Sequence, residues 1–221
     1  MATALSQFSK IVAPEVPGCP SFLIEEKIVE AAQQFCIDTQ WLKKGIEVEA
    51  IDYTTIDAAD NDSIEIDLTS YVTGITPVSF TQFQIDGGNW NLEHRELEND
   101  NSNLDQITKT GVKFYTLPDQ DTIKLFPFTD QAEDFDVFIE IVFKPKDGVT
   151  TLDDVFYDDH RRAICAHAAA SLQRMKGKAW SDPDYATQNA RTYQAKMGAA
   201  KIKASVGRVT GNTMIKPPFF C

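Results

Sequence analysis

Three histidines, four cysteines and 33 acidic side chains are the residues of this chain most able to do chemistry. His160 and His167 are seven apart, so they share one face of a helix. A metal site needs a third ligand at helical spacing, and neither that ligand nor an HExxH motif accompanies them. Asp158-Asp159-His160 has the residue types of a metal or acid/base cluster. The expectation, however, is a solvated first turn whose carboxylates sit at the positive end of a helix dipole. The six strand carboxylates Glu47, Glu49, Glu65, Asp67, Asp136 and Glu140 alternate with apolar residues. They are read as the wet face of a sheet, and no pair is singled out for glycoside hydrolysis. Gly87-Gly88 is a turn signature, and GxGxxG, GxxxxGK[ST] and GxSxG are all missing. The expectation is a protein without catalysis, metal or cofactor.

The cysteines, Cys19, Cys36, Cys165 and Cys221, are scattered with no CxxC pair. Cys36 and Cys165 fall inside apolar helical patterns, as small buried thiols do, which argues against zinc and against a disulfide framework.

Charge divides the chain. Residues 1–159 carry 10 Lys/Arg against 31 Asp/Glu, a balance of −21, and residues 160–221 carry 11 against 2, a balance of +9. Opposite ends of this kind suit a fixed orientation toward other copies or toward two different partners. The net charge of −12 argues against general nucleic-acid binding, which needs clustered cations, yet leaves a surface that DNA slides past. Met1 to Lys10 lacks the basic start and apolar run of a secretory signal, and no run approaches a membrane span. Synthesis in the cytoplasm is expected.

The elements that would position these residues follow from periodicity. Residues 1–20, punctuated by Pro14, Pro17, Gly18 and Pro20, are predicted to be an extended lead-in. Ser21 stands as N-cap to a first helix over 21–43, whose stripe is Ile24, Ile28, Ala31, Phe35 and Leu42, with Gly45 as its stop. Over 46–150 the period becomes two, as in Ile64, Ile66, Leu68 and in Phe135, Val137, Ile139, Ile141, Phe143. Pro118-Asp119-Gln120-Asp121 is a hairpin connection, and 98–110 is too polar for a core. This region is predicted to be an antiparallel sandwich or barrel. Helix returns near Asp153 with the stripe Ile164, Ala168, Leu172 and Met175. Its small run Ala166-His167-Ala168-Ala169-Ala170 lets another helix approach closely. Ser181 is predicted to cap a third helix with the apolar face Ala186, Ala190, Tyr193, Met197, Ala200 and Ala204, ending at Gly207. The whole is an α+β fold: a three-helix bundle (21–45 and 151–206, the N-terminal helix plus a C-terminal helical hairpin), a β-rich antiparallel insertion (46–150) and an extended C-terminal arm (207–221).

That arm holds Val209, Met214, Ile215, Phe219 and Phe220 among Gly211, Asn212, Pro217 and Pro218. Two adjacent phenylalanines there either fold back on the core or dock into a partner's groove or sheet edge.

The run Val12-Ala13-Pro14-Glu15-Val16-Pro17-Gly18-Cys19-Pro20, then Leu23-Ile24-Glu25, Ala31-Ala32-Gln33-Gln34-Phe35-Cys36 and Trp41, resembles the head-to-tail adaptor (connector) proteins of tailed bacteriophages. The motif lies within residues 12–41, and the order of elements fits along the whole chain. The resemblance implies a structural protein in the virion neck, assembled in the host cytoplasm. It implies a dodecameric ring of this chain beneath the portal protein, the helical bundles side by side around a channel through which DNA passes without specific binding. A tail or nozzle protein would meet the other face of the ring, and no membrane is involved. Residues 207–221 would be the portal-binding arm, with Val209, Met214, Ile215, Pro217, Pro218, Phe219 and Phe220 as its contacts. The insertion would face outward or toward the tail. Two other classes remain beside this one. A carbohydrate- or receptor-binding tail component would use the insertion, with Trp90, Tyr53, Tyr71 and Tyr115 as stacking candidates against a reading of them as sheet core. A hydrolase would need a carboxylate site in the sheet.

Overall fold

Where apolar residues recur every three or four positions this chain forms helix, and where they alternate it forms strand, giving an α+β fold. The computed structural model describes residues 2–51, 64–68, 74–85, 88–90, 93–94, 114–116, 122–126 and 135–206. In chain order the described elements begin with β1 (Ala2–Ala4), α1 (Leu5–Val12), a 3-10 turn at Ala13–Glu15 and α2 (Ser21–Thr39). The strands β2 (Lys43–Ile51), β3 (Ile64–Asp67), β4 (Ile75–Ile85), β5 (Gly88–Trp90) and β6 (Glu93–His94) follow. They lead to β7 (Phe114–Thr116), β8 (Thr122–Phe126), β9 (Phe135–Pro145) and β10 (Thr151–Asp153). The chain then enters α3 (Asp154–Asp158), α4 (Arg161–Gln173) and α5 (Pro183–Val206).

The lead-in is not extended. Its prolines begin only at Pro14, so nothing interrupts a helix before them, and Leu5, Phe8 and Val12 supply a buried stripe for α1. Pro14 then falls in the 3-10 turn, where its missing N–H costs little. Ser21 is the first residue of α2 and not its cap, since Pro20 occupies the cap position. The helix also stops before Gly45. Gln40 takes the left-handed conformation (φ 52°) and its N–H closes on the Cys36 carbonyl at 2.8 Å. Gly45 instead lies in β2, where a Cβ would come within 2.8 Å of the Phe138 ring. The expected second helix is two: Asp153 caps α3 by accepting from the Val155 N–H, and the chain turns at Asp159–His160 before α4 begins. Asp182, not Ser181, caps α5, its carboxylate accepting from the N–H groups of Asp184 and Tyr185. Ser181 donates its hydroxyl to the Gln173 carbonyl.

Two four-stranded sheets account for most of the strands, one ordered β2-β9-β4-β5 and the other β3-β8-β7-β6. In the first, Ile46 sits opposite Ile139, and Phe80 opposite Ile141. Val137, Ile139, Ile141 and Phe143 of β9 are fully buried, the alternate positions that a period of two puts on one face. In the second sheet β7 and β8 pair antiparallel, Phe114 opposite Phe126. The expectation of purely antiparallel pairing fails at one place, where Glu93–His94 runs parallel to Phe114–Tyr115. The polar segment 98–110 and the connection 118–121 lie outside the described residues.

The helices share one core. α2 packs on α4 and α5, α4 on α5, and α1 on α2 and α4. Phe8, Ile28, Ala31, Ala32, Phe35, Cys36, Ile164, Ala168, Ala169 and Leu172 are fully buried in a single cluster. Buried Gln173 links α4 to the 3-10 turn by donating to the Glu15 carbonyl, and Asn189 of α5 donates to both Gln173 and Glu15. The first sheet is joined to α2 through Gln33, which donates to the Pro145 carbonyl (3.0 Å) and to Asp147 (2.8 Å). Burial of the apolar stripe, not propensity, holds these helices in place.

Candidate functional site

His160 and His167 have different surroundings, and His160 does not sit in the solvated first turn expected of it. His160 is only 7% exposed and is the residue before α4, so Asp158-Asp159-His160 is the turn between two helices and not the first turn of one. Its ring lies 4.7 Å from Phe35 and meets Trp41 edge-on at 4.3 Å. Nε2 is buried with no hydrogen-bond partner among the described residues. Burial lowers the His160 pKa, opposed by the Asp159 carboxylate and reinforced by the Lys203 ammonium. His167, seven residues on, packs against Tyr193 with tilted rings 4.5 Å apart, and burial lowers its pKa too. Among the described residues no three metal-ligating side chains converge.

Tyr193 completes the clasp that joins α5 to α2. Its hydroxyl donates to Asp38 at 2.6 Å, and Gln34 donates to the other Asp38 oxygen at 2.8 Å. Burial raises the Tyr193 pKa, and the hydrogen bond to Asp38 raises it further. Burial likewise pushes the Cys36 and Cys165 thiols up to about 12, so they are inert packing groups as their sequence context implied.

The signs of these shifts set the pH dependence of stability. The thiols and the phenol hold their protons more tightly in the folded state, so their contribution is complete below the ordinary values of 9.0 and 10.0 and is lost as pH rises through the folded values. The histidines hold theirs less tightly, so their contribution is present above 6.5 and is lost as pH falls. Urea midpoints are therefore expected to fall on both sides of neutrality. Tyr193→Phe should cost about 1 kcal/mol near pH 7, because half-exposed Asp38 regains water in place of the phenol. The same variant should flatten the alkaline limb above about pH 10, where the phenol titrates in the unfolded chain.

Two oppositely charged surfaces flank this core. One is a groove of about 410 Å³ along the outer face of α2, lined by Phe22, Glu25, Glu26, Val29, Glu30 and Asp147 among others. Phe22 is 68% exposed there. The other is a cleft of about 350 Å³ between the start of α4 and the C-terminal half of α5, bearing Arg161, Arg162, Lys196 and Lys203. After Asp184, α5 carries Arg191, Lys196, Lys201 and Lys203 and no acidic residue. Apolar spacing alone gives no sign of this cleft. Lys196 and Lys203, seven apart on one helical face, were the signal that would have marked it.

The structure brings none of the expected arm contacts into view: Val209, Met214, Ile215, Pro217, Pro218, Phe219 and Phe220 all lie outside the described residues, as do Cys221, Tyr53 and Tyr71. Of the stacking candidates, Trp90 is in edge strand β5 opposite Phe83, and Tyr115 is in β7 opposite Leu125, so the two belong to different sheets. Among the described residues no helix is long and apolar enough to cross a membrane. No protein-family model matches this chain, and no curated protein matches it.

Proposed function

We propose that this chain is a non-catalytic structural protein of the tailed-phage head-to-tail adaptor class. In this reading α2, α4 and α5 form the three-helix bundle that packs side by side with neighbouring copies in a ring between portal and tail. Residues 207–221 leave the end of α5 as the portal-binding arm. The observation that carries the reading is the run from Val12 to Trp41. Its Val16, Ala31, Ala32, Phe35 and Cys36 lie in the core, and Trp41 packs against it, so the motif is built into the fold. The charged surfaces support it as well. A closed ring needs one patch of a copy to meet a different patch of the next, and the acidic α2 groove and basic α5 face are complementary.

An affinity pull-down of the tagged chain from infected-host lysate tests the reading. Recovery of a portal-sized virion protein is expected, and its loss on deleting 207–221, with the helical circular dichroism retained, would place the contact in the arm. Recovery of host enzymes or glycans alone would overturn the adaptor assignment. Unfolding of the truncated chain would show that the arm belongs to the core.

A further inference from the structure

The cleft at the start of α4 has more positive charge than the fold needs. Among the described residues Arg162, Lys196 and Lys203 have no carboxylate within ion-pair distance, and Arg161 leans over the Tyr157 ring at 5.4 Å. Asp158 and Asp159 line the cleft as well, so four cations face two carboxylates. The first free N–H groups of α4, a helix of 13 residues, belong to Arg161 and Arg162, since the His160 carbonyl accepts only from Ala163 (2.9 Å) and Ile164 (3.1 Å). His160 forms part of the wall, and its buried Nε2 lacks a partner. A structural reason for that imidazole would give both nitrogens a partner or replace it with an apolar ring, because a buried polar atom left unpaired is destabilising.

We propose that this cleft is a binding site for a phosphate-type oxyanion, held by Arg162, Lys196 and Lys203 and by the α4 N-terminus, with His160 at its wall. The helix end and the cations act together there, as anion sites at helix N-termini do. A volume of about 350 Å³ admits a phosphate group with part of the molecule that carries it. The chemistry is shared by a free phosphate compound and by a nucleic-acid backbone. The adaptor reading gives the same basic face to a neighbouring copy, so phosphate and copy compete for it, and the experiment separates the two.

Imidazole NMR of the wild-type chain tests it, with inorganic phosphate as the probe and chloride at matched ionic strength as the control. His167, held against Tyr193, is the internal reference. Phosphate is expected to raise the His160 titration midpoint, since a bound anion favours the imidazolium, and to leave His167 unmoved. Lys203→Gln and Arg162→Gln, both at exposed positions, should each weaken the phosphate response about tenfold, the loss of one charge-assisted hydrogen bond. A short DNA duplex in the second arm separates the sources. A tighter response to duplex, lost in the same variants, assigns the site to backbone phosphates, and a response to phosphate alone assigns it to a free phosphate compound. No selective movement of His160 with either probe, or an equal movement with chloride, overturns the site. So does a His160 shift that grows with protein concentration in the absence of phosphate, which would give the cleft to carboxylates of a second copy.

Discussion

Phe35→Ala is expected to lower the unfolding free energy by about 3–5 kcal/mol, the largest effect of any single truncation discussed for this fold. Phe35 is fully buried where α2 faces α4, and its ring supports the His160 imidazole at 4.7 Å. Losing it removes the transfer energy of a phenyl ring and leaves a cavity among helices too rigid to collapse into it. A drop of roughly 6–20 °C in Tm should follow at this chain length. The same variant lets water reach His160, so the imidazole pKa should climb back toward 6.5. Urea denaturation and histidine NMR on one sample check both. A small stability change with His160 still shielded would show that α2 and α4 meet elsewhere.

Ala168→Leu is expected to cost about 1–3 kcal/mol from overpacking. Ala168 and Ala169 of α4 are fully buried, as are Ala31 and Ala32 of α2, and all four belong to the same cluster. Small residues on both helices allow their backbones to approach, and a leucine would have to push them apart or leave its rotamer. Ala199→Leu is the control, because Ala199 is exposed on α5 and surface changes stay within about 0.5 kcal/mol. Equal denaturation midpoints for the two variants would deny a close-packed seam.

That seam was legible in the sequence, because a run of alanines in an apolar stripe has only one common use. So were the α2, α4 and α5 stripes and the strands β2, β3, β8 and β9, where apolar spacing extends over enough residues to dominate. The misses were local. Gln40 stops α2 in a left-handed conformation that glycine usually supplies, so no residue type announced it. The break at Asp159–His160 was hidden because helical residues lie on both sides of it. α1 was masked by the prolines that follow it, though its Leu5-Phe8-Val12 spacing was in plain sight. One wall of the cleft was marked by Lys196 and Lys203 on α5, but the other was not, since Arg162 and Lys203 are 41 positions apart and only the packing of α5 on α4 brings them together.

Residues 2–4 pair antiparallel with 151–153, the Leu5 N–H donates to the Thr150 carbonyl, and Thr3 donates to Asp154. During synthesis residues 2–4 therefore wait for residues 151–153. At about 5–20 residues per second, roughly 8–30 s pass between synthesis of β1 and of its partner strand. During that interval α1 and α2 expose the apolar face that α4 later covers, while the sheets between them are free to form first. Contacts so distant in sequence slow folding, because closing the long loop costs entropy before any pairing offsets it. The nascent helices are thus a target for a chaperone, and a chain stalled before residue 151 would carry a sticky α1–α2 pair that no later segment has yet covered.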